Sequence, residues 1–186
     1  MSDSNIKGRS IGEYLNTIKD LFGADARRKV EEKLPAETLA IAADKALQKK
    51  WVDIAHLEAV YQAMIDELFD GDVSRVEEVG RHKVRNDISG PFRVFLKVVS
   101  PQYLASHFES FWRLYNDTGS VKLLEQGKKS AHGAVYFEKP HPAFWRDILG
   151  GFAGALEAAG AENVKVQVLH GGEKNDSMME FQVTWD

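Results

Sequence analysis

Residues 100–186 read SPQYLASHFESFWRLYNDTGSVKLLEQGKKSAHGAVYFEKPHPAFWRDILGGFAGALEAAGAENVKVQVLHGGEKNDSMMEFQVTWD, and the hydrophobic period of this stretch alternates between helix and strand. Ser100-Pro101 is a helix start, because serine caps orphan amides and proline at the first helical position loses no needed hydrogen bond. The helix it predicts runs to about Asn116 and carries Leu104, Phe108, Phe111, Trp112 and Tyr115 on one face. Asp117-Thr118-Gly119 closes it. Val121 to Glu125 and His132 to Glu138, parted by Gln126-Gly127-Lys128-Lys129, read as a hairpin. Pro142 starts a second helix that Gly160 ends, as a left-handed terminator. Val164, Val166 and Val168, then Met179, Phe181, Val183 and Trp185, alternate with polar residues and form a second, half-buried hairpin. Two hairpins flanking a helix predict a four-stranded antiparallel sheet.

Working outward, the N-terminal half reads as helices. Ser10 and Glu13 have capping-box spacing before Tyr14, Leu15, Ile18, Leu21 and Phe22, and Gly23 closes that helix. A polar helix from Ala24 to Lys33 precedes the Leu34-Pro35 break. One helix is expected across Leu39 to Leu47, with Trp51 in a connection. Ile54, Leu57, Val60, Tyr61, Met64, Ile65 and Leu68 hold helical spacing up to the acidic turn Asp70-Gly71-Asp72. Ser74 and Glu77 suggest another capping box for a helix to about Asn86, and Phe92 to Val99 reads as a short helix. The fold class is therefore α+β, with a disordered leader over 1–9 and one domain over 10–186. Within that domain a helical part spans 10–99 and an α-ββ-α-ββ part spans 100–186.

Composition narrows the function. With 44% hydrophobic and 28% charged residues in 186, there is apolar surface for one sizeable core. A formal charge of -4 argues against nucleic-acid or anionic-membrane partners, which need clustered Lys and Arg. The absence of cysteine excludes disulfides, thiolate metal sites and cysteine nucleophiles, and the polar start lacks the apolar segment of a secretion signal. Cytoplasmic localisation is the expectation.

The side chains that bear on chemistry are few. His107, Phe108, Phe111, Trp112, Tyr115, Phe144 and Trp145 are the candidate ligand-binding set, since small-molecule sites pair aromatic walls with one or two polar tips. Helical spacing equally suits plain core packing of the aromatics and an exposed edge position for His107. Gly150, Gly154 and Ala158 fall four apart on one helical face and admit close approach of another backbone, either a partner's, making a homodimer or partner interface, or this chain's own sheet. The answer turns on whether the four tryptophans and ten phenylalanines leave an exposed surplus. His132, His141 and His170 lie near strand or helix ends, where no metal site is expected, and Asp66, Glu67, Asp70 and Asp72 lack the pattern of a calcium loop. No glycine elbow presents a serine, Ser110 included, as a nucleophile. No cofactor and no catalytic residue is assigned.

The segments SPQYLASHFESFWRLYNDTG and HPAFWRDILGGFAGALEAAGAENVKVQVLHGG with the FQVTW strand, together with LPAE (34–37) and WVDIAHLEAVYQAM (51–64), resemble an uncharacterised paralogous family of myxobacteria and their relatives, over about residues 11–185. That family in turn resembles the fold group of 4-vinyl-reductase-type sensor domains, haem nitric-oxide-binding domains and TRAPP vesicle-tethering subunits. The resemblance implies a scaffold that binds a small apolar ligand or a haem between helices and sheet, or that dimerises and recruits partners. The chain departs from the group in having no cysteine for zinc or acylation, and no histidine in the leucine-rich helix motif of the haem binders. The expected function is a non-enzymatic cytoplasmic sensor or adaptor for a small hydrophobic ligand. Its rivals are an interaction module without ligand and a haem or gas sensor using His107.

Overall fold

The computed structural model describes residues 4–87, 98–138 and 140–186, and the first described residues enter a strand pair rather than trailing free. β1 (Asn5–Lys7) pairs antiparallel with β2 (Trp51–Asp53), with Lys7 opposite Trp51. Expected disorder over 1–9 is thus corrected from Ser4 onward, and Trp51 lies in a strand rather than a plain connection. The reason is Ile6, whose side chain is buried while the Asn5 amide and side chain each donate to the Asp117 carboxylate at 2.8 Å.

Six helices follow in the N-terminal half of the described chain: α1 (Arg9–Phe22), α2 (Ala24–Glu31), α3 (Ala36–Ala43), α4 (Lys45–Gln48), α5 (Ala55–Leu68) and α6 (Val76–Asp87). Ser10 is not the α1 cap. The β1 strand feeds the helix directly through Gly8, and Ser10 is buried inside its first turn. The helix expected over Leu39–Leu47 divides at Asp44, which turns extended and caps α4 by accepting from the Ala46 amide at 2.7 Å. A cap also shifts before α6, where Asp72 rather than Ser74 accepts, taking the Ser74 amide at 2.9 Å ahead of a 3₁₀ turn over Val73–Arg75. The helix expected over Phe92–Val99 lies mostly outside the described residues.

Ser100 and Pro101 start α7 (Pro101–Ser106) as their chemistry requires, with the Ser100 hydroxyl accepting from the Tyr103 amide. The expected single helix to Asn116 then breaks at His107, and α8 (Phe108–Tyr115) resumes after it. The cause is local: Ser106 Oγ and His107 Nδ1 both reach the Tyr103 carbonyl at 2.8 Å, displacing the helical amide, which bonds Leu104 instead.

β3 (Ser120–Gln126), β4 (Ser130–Tyr136), β5 (Lys165–Gly171) and β6 (Met178–Thr184) form the sheet in the order β3-β4-β6-β5, every neighbour antiparallel. Between the hairpins runs α9 (Pro142–Ala158), capped by the His141 ring and released at Gly160, whose φ of 91° is left-handed. The expected two-hairpin architecture stands. A stack of rings, Phe108 on Phe152 at 4.5 Å and Phe152 on Phe181 at 4.6 Å, ties α8 through α9 to the inner face of the sheet.

The interface reading of Gly150, Gly154 and Ala158 is corrected here. A Cβ at Gly150 would lie 2.8 Å from the Arg81 amide nitrogen, and one at Gly154 would lie 3.1 Å from the Arg81 carbonyl carbon. This row packs on α6 of its own chain, with Ala158 partly buried at its end. Gly80 reciprocates from α6, where a Cβ would meet the Asp147 backbone oxygen at 2.6 Å. Backbones this close need glycine at the crossing. Among the described residues the aromatic surplus is also absorbed: Trp112, Trp145 and Trp185 are buried, no phenylalanine is exposed, and Trp51 alone among the tryptophans is exposed.

Candidate ligand cavity

Where α1, α6, α8 and α9 converge they leave a half-open cavity of about 160 Å³. Five of the seven candidate ligand-binding residues line it: Phe108, Phe111, Trp112, Tyr115 and Phe144. Helical periodicity turns the α8 residues to one side, and α9 answers with Phe144, Ile148 and Phe152 on its facing stripe. Trp112 is fixed by donation from Nε1 to the Thr118 carbonyl at 2.8 Å and by edge-on contacts with Phe137 and Phe144.

The other two are elsewhere. Trp145 is buried in the core outside the lining. His107 sits at the α7–α8 break with its ring stacked on Tyr103, centroids 4.0 Å apart. Its Nδ1 faces the Tyr103 carbonyl and so carries the proton, which leaves Nε2 as the acceptor.

The polar end of the cavity was not legible in sequence. Asp147, on α9, accepts from the Tyr14 hydroxyl on one carboxylate oxygen and from Tyr61 on the other, the latter at 2.9 Å. The two tyrosine rings meet edge to face at 5.5 Å. Lys83 on α6 also lines the cavity, pairing with Glu13 at 3.5 Å and lying 4.8 Å from the Tyr14 ring centroid. Its side chain is only 12% exposed.

Burial raises the Asp147 carboxyl above the ordinary carboxylate range, although the Lys83 charge and the two tyrosine bonds pull it back. Burial first, and then the Asp147 charge, push the hydroxyls of Tyr14 and Tyr61 well above the usual tyrosine value. For Lys83, burial works downward, but Glu13 and then Asp147 outweigh it and hold the ammonium above the ordinary lysine value. The cavity therefore has an aromatic wall and a polar floor whose buried charges are partnered. Such a site can hold an apolar molecule and orient one polar group.

Several of the histidines and acids outside the cavity are engaged elsewhere. His132 meets Glu180 at 2.6 Å across the sheet, a partner that linear spacing does not reveal. Glu67 pairs with Lys33, Asp66 accepts from Gln62 and Asp72 caps Ser74. Among the described residues no group of three or more His, Asp or Glu side chains is placed to hold a metal ion, and no helix is long and apolar enough to cross a membrane.

No family model matches the chain, and no curated protein matches it. Solved structures do, along almost the whole length. A protein from a study of haem redox potential modulated through protein-induced porphyrin distortion is 16% identical with a TM-score of 0.72, over 97% of this chain and 95% of that one. An oxygen-binding H-NOX domain related to soluble guanylate cyclases is 16% identical with a TM-score of 0.70, over 97% and 95%. The unliganded Fe(II) H-NOX protein from K. algicida is 12% identical with a TM-score of 0.69, over 97% and 96%. The fold is H-NOX-like. At these identities the likeness is one of fold.

Proposed function

We propose that this protein is a ligand-sensing domain that holds a small, mainly apolar molecule between α1, α6, α8 and α9 and relays its presence to a partner protein. The supporting observation is the cavity itself: about 160 Å³, walled by Phe108, Phe111, Trp112 and Phe144 and floored by Tyr14, Lys83 and Asp147. An apolar cavity of about 150 Å³ accommodates benzene, so the ligand is a single small ring or a chain of similar bulk with one polar group. Native mass spectrometry of the purified protein, before and after denaturation, together with calorimetric titration of phenol, tests this. A dissociable small mass, or saturable phenol binding, is the expected result. An empty protein that takes up no phenol overturns the reading.

A second reading, haem binding, draws on the solved structures the fold resembles. The residues as arranged do not fit that group. A porphyrin is several times larger than benzene, the cavity lining contains no histidine, and His107 is stacked against Tyr103 outside it. Expression with ample haem decides: a Soret band in the purified protein revives this reading, and its absence ends it.

A further inference from the structure

We propose that a hollow where β1, α1 and α4 meet binds a small soluble anion of the phosphate class, with Lys7, Arg9, Lys45 and Lys49 as its counter-charges. Among the described residues this hollow, of about 440 Å³, is lined by those four cations and Gln48, and by no carboxylate. The chain as a whole carries a net charge of -4, so the local excess runs against its balance. Protein surfaces ordinarily intersperse the two signs, and like charges gathered in one concavity repel unless an anion lies among them.

The arrangement is enforced by backbone. Lys7 ends β1, Arg9 begins α1, and Lys45 and Lys49 come from α4 and its C-terminal cap. What brings them together is Gly8, whose amide donates to the Lys50 carbonyl at 3.0 Å and whose missing side chain leaves room for α4; a Cβ there would lie 3.3 Å from the Gln48 Cα. The β1–β2 pairing sets Lys7 opposite Trp51, with its ammonium 3.8 Å from the indole centroid.

The carboxylates that could neutralise the hollow are engaged. Asp44 caps α4 and Asp53 accepts from the Ala55 amide. Glu13 serves Arg9 at 3.8 Å but also Lys83 at 3.5 Å. Among the described residues Lys7, Lys45 and Lys49 have no ion-pair partner within 4.0 Å. Four cations in one hollow, on a chain of net charge -4, suit a compact multivalent anion rather than an extended polyanion, which needs a long stripe of Lys and Arg. Several closely spaced charge-assisted hydrogen bonds are what phosphate oxygens accept.

The test is calorimetric titration of the full chain with inorganic pyrophosphate, in low salt and again in added sodium chloride. The variants are Lys45→Glu/Lys49→Glu and, as a control on β5, Lys165→Glu; circular dichroism confirms that each is folded. Saturable binding that weakens with salt, falls by about tenfold or more in the double variant and is unchanged in the control is the expected result. Absence of binding to the unmodified protein, or equal loss in the control, overturns the proposal. A third arm uses phosphatidylserine vesicles: capture that depends on Lys45 and Lys49 while pyrophosphate does not bind would assign the hollow to a membrane surface and also overturn the soluble-anion reading.

Discussion

Tyr61 donates to Oδ2 of Asp147 at 2.9 Å across 86 residues of sequence, and Tyr14 donates to the other oxygen, so one buried carboxylate holds α1 and α5 against α9. Replacing it with alanine removes the acceptor that both buried hydroxyls share. Asp147→Ala is therefore expected to destabilise the fold by about 3 kcal/mol in urea unfolding. Asp147→Asn keeps one acceptor and removes the charge, and should cost far less.

The same carboxyl sets a pH dependence. Its folded-state pKa is raised, so the stability it contributes is fully present below the unfolded value, near pH 4, and is lost as pH rises through the folded value. The wild-type urea midpoint should carry this falling component above about pH 4, and Asp147→Asn should lack it. Identical midpoint-versus-pH curves for the two proteins would disprove the assignment.

Two glycines three residues apart on α9, Gly151 and Gly154, should respond in opposite directions. A Cβ at Gly154 runs into the Arg81 backbone, whereas one at Gly151 makes an ordinary 3.6 Å contact with Val84 Cγ2. Gly154→Ala should cost about 1–3 kcal/mol by forcing α6 from α9. Gly151→Ala should stabilise by about 0.5–1 kcal/mol, as alanine normally does in a helix. Thermal melts of both variants check the pair, and destabilisation by both would show that the crossing is looser than the structure has it.

This contrast also shows what was legible in the sequence. The strands, the Pro142 helix and the aromatic face of the helix after Ser100 follow from periods of 2 and 3.6, which record what each residue's immediate neighbours do. Small residues at 150, 154 and 158 announced a close approach, but the pattern does not say to what, and the partner proved to be α6. His107 sits inside a helical period, yet the side-chain bonds of Ser106 and His107 to the Tyr103 carbonyl break the helix and turn its ring outward. The polar floor was invisible for a different reason. Tyr14, Lys83 and Asp147 lie on three helices, and each alone reads as an ordinary surface or core residue. The basic hollow is likewise spread over β1, α1 and α4, so a chain without a basic run in sequence still gathers four cations in space.

Filling the cavity separates binding from folding. Ala155 lines it from α9 and is only partly buried, so Ala155→Leu places new atoms in empty space rather than in packed core. Phenol binding should be lost while the melting temperature stays level or rises, by up to about 1 kcal/mol in stability for the added apolar contact. Trp112→Ala is the opposite case. It removes a buried indole and its bond to Thr118, and about 3–5 kcal/mol of destabilisation is expected. Retained phenol affinity in folded Ala155→Leu protein would place the binding site elsewhere.

His107 distinguishes the two ligand readings directly. Its ring is partly exposed, stacked on Tyr103 and absent from the cavity lining, so His107→Ala removes one hydrogen bond to a carbonyl and one ring contact. The change in stability should stay within about 1 kcal/mol, and restoration of a regular α7–α8 helix offsets part of it. Phenol affinity should be unchanged, because no atom of His107 reaches the cavity. If instead the protein takes up haem and His107→Ala abolishes the Soret band, the ring must leave Tyr103 and turn inward on loading, and the small-ligand reading gives way to the haem one. Calorimetry and absorption on the same two proteins read both outcomes.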